Sequence, residues 1–226
     1  MAFDPTRVRA LFFDVDGTLA DTDNDWVTSV ARRLPVRDLA RRERIARRIV
    51  MAIETPGNGV LLLLDRVGLD STVMRIAEQI GRLLNRGPAP AHPPVPGVRE
   101  MLAQVHANFP VAVVSTRNVA HVQKFLEQAG LSEFVDVIAG ADTCVRSKPF
   151  PDPLLWAADR LGIAIDACVM IGDTTVDMRA GRAAGAQTIG VLCGFGEADE
   201  LLRTGADLVL SSTAEVADVV ARHLLH

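Results

Sequence analysis

The stretch Val8-Arg-Ala-Leu-Phe-Phe13-Asp14-Val-Asp16-Gly17-Thr18-Leu19 decides the reading of this chain. Residues 8–13 form a short, largely apolar run rich in Val, Leu and Phe, the pattern of a buried strand. Two carboxylates, Asp14 and Asp16, then stand at its carboxyl end, followed by Gly17 and the hydroxyl residue Thr18. In an open α/β sheet, ligands bind beyond the carboxyl ends of the strands, so both acids point toward a crevice. Asp, Gly and Thr are also ordinary turn residues, so the rest of the chain has to decide between a turn and a site.

Composition bounds the answer. A chain of 226 residues makes one large domain or a core with a smaller companion. Hydrophobic residues make up 49%, enough for a real core, which excludes global disorder. The net charge of −4 gives no general attraction to nucleic acid or an anionic membrane. Only two of the 24 basic residues, Lys124 and Lys148, are lysines, so each is worth inspecting. Cys144, Cys168 and Cys193 are odd in number and lack CxxC spacing, which points to free thiols in a reducing compartment. The start of the chain lacks a basic and then apolar signal pattern, and apolar runs such as 60–64 are too short to cross a bilayer. The expectation is a soluble cytoplasmic protein.

After Leu19 the pattern changes. Trp26, Val30 and Leu34 recur at helical spacing, 37–51 is a basic amphipathic stretch, and 61–67 and 73–84 look like two further helices. Gly87-Pro-Ala-Pro-Ala-His-Pro-Pro-Val-Pro-Gly97 is a proline-rich linker, extended and semi-rigid, taken as the return hinge from an inserted helical domain. From Val98 onward helices and short apolar strands alternate. Strands are expected at 111–114, 135–138, 167–171 and 187–191. Helices are expected at 119–129, 153–161 and 176–184, and a final helix–strand–helix set at 197–224. This alternation defines an α/β, Rossmann-like, mostly parallel sheet with helices on both faces, plus an inserted all-helical cap domain. The expected division is 1–19 with 95–226 as core and 20–94 as cap.

Three more polar clusters lie just past expected strands: Ser115-Thr-Arg-Asn118, Lys148-Pro149 and Gly172-Asp-Thr-Thr-Val-Asp177. Each has a local explanation, as a helix cap, a loop lysine or acids at a helix start. Together with Asp14 and Asp16 they meet at one edge of one sheet, and the chemistry that needs them there is phosphoryl transfer. A phosphate monoester is dianionic and repels a carboxylate nucleophile unless positive charge neutralises both. A divalent cation on carboxylate oxygens provides most of that charge, and Mg2+ suits one or two protein carboxylates plus a substrate phosphate. Lys148 supplies a second point charge. Ser115 and backbone N–H groups near Gly17, Thr18 and Thr116 cradle the remaining phosphate oxygens.

Asp14-x-Asp16-Gly-Thr, Ser115, Lys148-Pro and Gly172-Asp173-x-x-x-Asp177, in this order, resemble the haloacid dehalogenase superfamily. The chain is most similar to its phosphoglycolate phosphatase-like branch, also through Lys148-Pro-Phe-Pro-Asp-Pro-Leu-Leu, Val191-Leu-Cys-Gly-Phe-Gly and Gly205-Ala-Asp207. The resemblance implies that Asp14 is the nucleophile that forms an aspartyl-phosphate. Asp16 then protonates the leaving oxygen and later activates water. Asp14, Asp173 and the backbone carbonyl of Asp16 hold Mg2+, and Asp177 acts nearby on the metal's waters or on Lys148. Residues 20 to about 94 close over the site as the cap.

Asp16 argues against dehalogenation, since an alkyl halide needs no leaving-group proton, and the cap's lack of lysine argues against phosphonate cleavage through a Schiff base. Thr116 and Arg117 depart from the branch's usual residues. Arg117 is open to two readings, a substrate contact or a solvent-facing arginine at a helix start. The arginines of 37–51 read as a solvated helix face or as a reader of an anionic leaving group, and His121 as a packing residue. The expected partner is a small-molecule phosphate ester, phosphoglycolate first, with no nucleic acid or membrane, in a monomer or homodimer. Rival readings are a sugar-phosphate mutase, an inorganic pyrophosphatase and, outside enzymes, a phospho-acceptor signalling domain.

Overall fold

Apolar residues on consecutive positions of β1 (Ala10–Phe13) can be buried only if both faces of its sheet are covered. Leu11, Phe12 and Phe13 are all fully buried. The computed structural model describes residues 3–21, 38 and 92–220. Apart from Asp38 they belong to one compact unit of the chain, Met1–Asp23 with Ala91–His226. The helices expected between 22 and 86, and the linker's first residues, lie outside the described residues.

Six strands form one sheet: β1, β2 (Val111–Val114), β3 (Val137–Ala139), β4 (Cys168–Gly172), β5 (Gln187–Val191) and β6 (Leu208–Leu210). Their order is β3-β2-β1-β4-β5-β6 and every pairing is parallel. The α/β expectation holds, and the sheet is wholly rather than mostly parallel. Six α-helices complete the described residues: α1 (Val98–His106), α2 (Val119–Ala129), α3 (Asp152–Leu161), α4 (Thr175–Ala184), α5 (Ala198–Thr204) and α6 (Val216–Val220). Side chains alternate across a strand, and the core divides accordingly. Leu11, Phe13, Val111, Val113, Val169 and Ile171 pack with α1, α2 and α6 on one face. Ala10, Phe12, Ala112, Val114 and Met170 pack with α3 and α4 on the other. At about 1.5–3 kcal/mol for each large apolar side chain buried, the central strands anchor the sheet edge that carries the site.

Glycine closes α2, α3, α4 and α5, each in the left-handed conformation that ends a helix, at Gly130, Gly162, Gly185 and Gly205. The strand expected at 135–138 starts two residues late. Residues Ser132–Phe134 form a 3-10 turn, and Asp136 turns its carboxylate back to accept a bond from the Val111 N–H at 2.8 Å. Pairing with β2 therefore begins at Val137.

The chain leaves β1 toward β2 and β3 on one side and comes back to β4 on the other. That reversal puts a topological switch point at β1, where open parallel sheets bind ligands beyond the strand ends. Just past it, the segments around Ala20 and Pro94 pair antiparallel. The Asp21 N–H donates to Pro93 O and the Val95 N–H to Leu19 O. The chain thus departs from and returns to the sheet edge at neighbouring points.

Candidate active site

β1, β2 and β4 end at the same edge, and each delivers a polar side chain there at its next residue. Asp14 follows β1, Ser115 follows β2 and Asp173 follows β4, all three buried. Lys148 arrives from the loop after β3 and Asp177 from the first turn of α4, both also buried. The Lys148 Nζ lies 2.8 Å from Asp14 Oδ1 and 2.6 Å from Asp177 Oδ1. Oxygens of Asp14, Asp173 and Asp177 all lie within 4.8 Å of one another. Sequence reasoning thus gathered residues from four separate segments that the fold brings together.

Three carboxylates so close, two of them on one ammonium, raise the energy of their own charge. Burial pushes the Asp14 carboxyl up to about 7 against the pull of Lys148, with Asp177 and Asp16 adding to the rise. Burial also works against the Lys148 ammonium, but Asp14 and Asp177 more than offset it and hold it above the ordinary lysine range. The donor set is entirely hard carboxylate oxygen, and its excess of negative charge is what a Mg2+-sized cation neutralises. The residues therefore fit a divalent cation. Asp177 stands in this cluster, while the Asp16 carboxylate is bonded to Arg117, leaving its backbone carbonyl as the group expected at the metal.

Asp177 serves two ends at once. Its Oδ2 accepts from the Thr174 N–H at 3.1 Å and from the Thr174 hydroxyl at 2.6 Å, capping α4, while Oδ1 takes Lys148. The carboxylate that caps the helix is thus also the one bonded to Lys148. For the β2 loop the cap is Asn118, which accepts from the His121 N–H, and Ser115 is left for the site. Ser115 Oγ accepts the Arg117 N–H at 3.1 Å, and Thr116 is exposed beside it.

Gly17 and Thr18 build the loop itself. The Gly17 N–H donates to Ala20 O and the Thr18 N–H to Val15 O, so these amides, expected to face a phosphate, are used within the turn. The Thr18 hydroxyl donates to Asp173 Oδ1 at 3.2 Å. Gly17 has φ 71°, and a Cβ there would lie 2.4 Å from Asp173 Oδ2, so both backbone and space require glycine.

Two contributions were not assigned from the sequence. The first is the loop after β5, where the Phe195 N–H donates to Asp173 Oδ2 at 2.8 Å and Gly194 packs flat against the same carboxylate. Its signal was Gly194-Phe-Gly196 placed just past a strand, the same position that marked the other clusters. A Cβ on Gly194 would lie 2.1 Å from Asp173 Oδ2. Gly194→Ala is thus expected to push Asp173 aside and lower kcat/KM at least about tenfold, a barrier change of ~1.4 kcal/mol. Mg2+ titration by calorimetry checks it, since the same shift weakens cation binding. The second is Arg117. It does not face solvent: its side chain is 21% exposed and forks onto Asp16, Nε to Oδ2 at 2.7 Å and a terminal nitrogen to Oδ1.

The haloacid dehalogenase-like hydrolase family model matches residues 11–191, and the chain belongs to that family. It is 33% identical over 231 residues to a phosphoglycolate phosphatase of Chromobacterium violaceum, covering 95% of this chain and 97% of that one. It is 31% identical over 226 residues to the N-acetylmuramic acid 6-phosphate phosphatase of Pseudomonas aeruginosa, covering 96% of this chain and 97% of that one. Among solved structures it resembles a haloacid dehalogenase family hydrolase of Deinococcus radiodurans with bound phosphate and sodium. That match has a TM-score of 0.66, 26% identity and 97% coverage of both chains. No helix among the described residues is long and apolar enough to cross a membrane.

Proposed function

We propose that this protein is a Mg2+-dependent phosphatase of a small phosphorylated metabolite, working through an aspartyl-phosphate on Asp14. The observation that carries the reading is the cluster of Asp14, Asp173 and Asp177, with Lys148 bonded to Asp14 and Asp177, at the switch point of the sheet. Such a cluster costs stability unless a cation completes it, and a divalent metal there, with Lys148, gives a phosphate dianion two positive partners. Relatives named as phosphatases, and a related structure with bound phosphate and sodium, support the same reading.

In this mechanism Asp14 Oδ attacks phosphorus and the bond to the leaving oxygen breaks. Asp16 supplies the proton to that oxygen, then takes one from the water that cleaves the aspartyl-phosphate. Lys148 balances Asp14 before attack and the phosphoryl oxygens after it. Ser115 and Thr116 face the remaining phosphate oxygens from the β2 loop. Asp14, Asp173 and the backbone carbonyl of Asp16 would hold Mg2+, with Asp177 nearby, and the ion would supply positive charge against the negative charge that gathers on the phosphoryl group. Residues 20 to about 94 form a cap that selects the leaving group, with phosphoglycolate the first candidate and sugar phosphates next.

The test is phosphate release from a panel holding phosphoglycolate, N-acetylmuramic acid 6-phosphate, sugar phosphates and pyrophosphate, with Mg2+ or EDTA. Turnover of a monoester that EDTA abolishes is the expected result. Release from pyrophosphate alone would replace the reading with a pyrophosphatase. Absence of release from every compound would overturn it.

A further inference from the structure

We infer that Arg117 is a positioning residue for Asp16, a latch that must open on one oxygen each time the leaving group is protonated. The inference rests on the phosphatase reading and adds to it a part for a residue that no sequence pattern assigned.

The guanidinium meets Asp16 as a two-toothed fork, with Nε on Oδ2 at 2.7 Å and a terminal nitrogen on Oδ1. Planar bidentate pairs of this kind fix orientation as well as charge. The side chains are 21% and 16% exposed, so solvent competes weakly for either partner. The fork is also rigidly mounted. The Arg117 N–H donates to Ser115 Oγ at 3.1 Å, and Arg117 O accepts from the Ala141 N–H at 2.8 Å. Gly140 lies so close that a Cβ there would come 2.8 Å from the same carbonyl. The backbone at residue 117 is thus pinned between the β2 and β3 loops, and its side chain bridges to the β1 loop.

This arrangement bears on one chemical step. As the P–O bond to the leaving oxygen breaks and the bond to Asp14 forms, a proton passes from the Asp16 carboxyl to that oxygen. A carboxylate with both oxygens in the fork has the facing lone pair of each engaged, so neither readily carries the proton. One tooth must let go while the other keeps the carboxylate aimed. Arg117 therefore matters most for leaving groups that need a proton and least for those that depart as stable anions. An alkyl phosphate belongs to the first class and p-nitrophenyl phosphate to the second.

The experiment compares kcat/KM, which covers every step through departure of the leaving group, for ethyl phosphate and p-nitrophenyl phosphate with Mg2+. Wild type, Arg117→Met, Arg117→Lys and Asp16→Ala are measured. General acid–base catalysis supplies about 10²- to 10⁴-fold, and Arg117→Met is expected to lose roughly 10- to 100-fold of it on ethyl phosphate. Its loss on p-nitrophenyl phosphate is expected to be several-fold smaller, as with Asp16→Ala. Arg117→Lys keeps the charge but not the fork, should fall between, and carries the test if the Met variant does not fold. Equal losses on both esters, or a change confined to KM, would overturn the inference while leaving the phosphatase reading intact. A wild-type protein inactive on both esters and on the whole panel overturns both.

Discussion

Asp14→Asn is expected to abolish turnover, by roughly 10⁴-fold or more, since each tenfold corresponds to about 1.36 kcal/mol of barrier and an amide offers no nucleophilic oxygen. The same variant should change how stability responds to pH. The Asp14 carboxyl sits at about 7 in the folded protein against an ordinary value of 3.8, chiefly through burial. The folded state therefore holds this proton more tightly than the unfolded chain. Stability from the group is full below about 3.8, falls as pH rises toward 7 and is flat above. Asparagine carries no such proton and escapes the loss. In metal-free buffer the melting temperature of the variant, relative to wild type, is expected to climb between pH 5 and pH 8. A constant difference would mean that Asp14 is not held protonated by its surroundings. Full activity in the variant would remove it as nucleophile.

How much of this was legible beforehand follows from what each signal depends on. Strands β2 and β5 and helix α2 match their expected bounds, because a run of Val and Ile or a glycine stop is a local property. β3 did not, because Asp136 pairs with Val111, a contact 25 residues away that no window contains. The site was legible where position relative to a strand end was enough, as for Asp14, Ser115 and Asp173. It was not legible where a partner across the site decides direction. Arg117 read as a substrate contact or a solvent-facing helix-start arginine, and the fold instead sets it on Asp16 of the β1 loop. Gly17 looked like a phosphate contact until its N–H was found bonded to Ala20 O. Gly194 carried a signal that went unused: glycine just past a strand reports close approach, here to Asp173.

Lys148→Met separates the charge balance of the site from its catalysis. Methionine keeps most of the volume, so packing changes little, and what is lost is the ammonium 2.8 Å from Asp14 and 2.6 Å from Asp177. Removing one partner of a buried pair costs about 3–5 kcal/mol, because the other charge is left uncompensated. For a protein of this size that lowers the melting temperature by roughly 10 °C. Two consequences distinguish this account from a simple packing defect. The loss should be smaller at pH 5 than at pH 8, since Asp14 can discharge itself by taking up a proton once the ammonium that pulled its carboxyl down is gone. Mg2+ should also raise the melting temperature of the variant more than that of wild type, because the cation then replaces the positive charge that Lys148 set beside Asp14 and Asp177. Phosphate release should stay lost throughout, for the phosphoryl oxygens no longer meet the ammonium. If Lys148→Met melts with wild type and responds to Mg2+ no more strongly, Lys148 is not the counterweight of the acidic cluster.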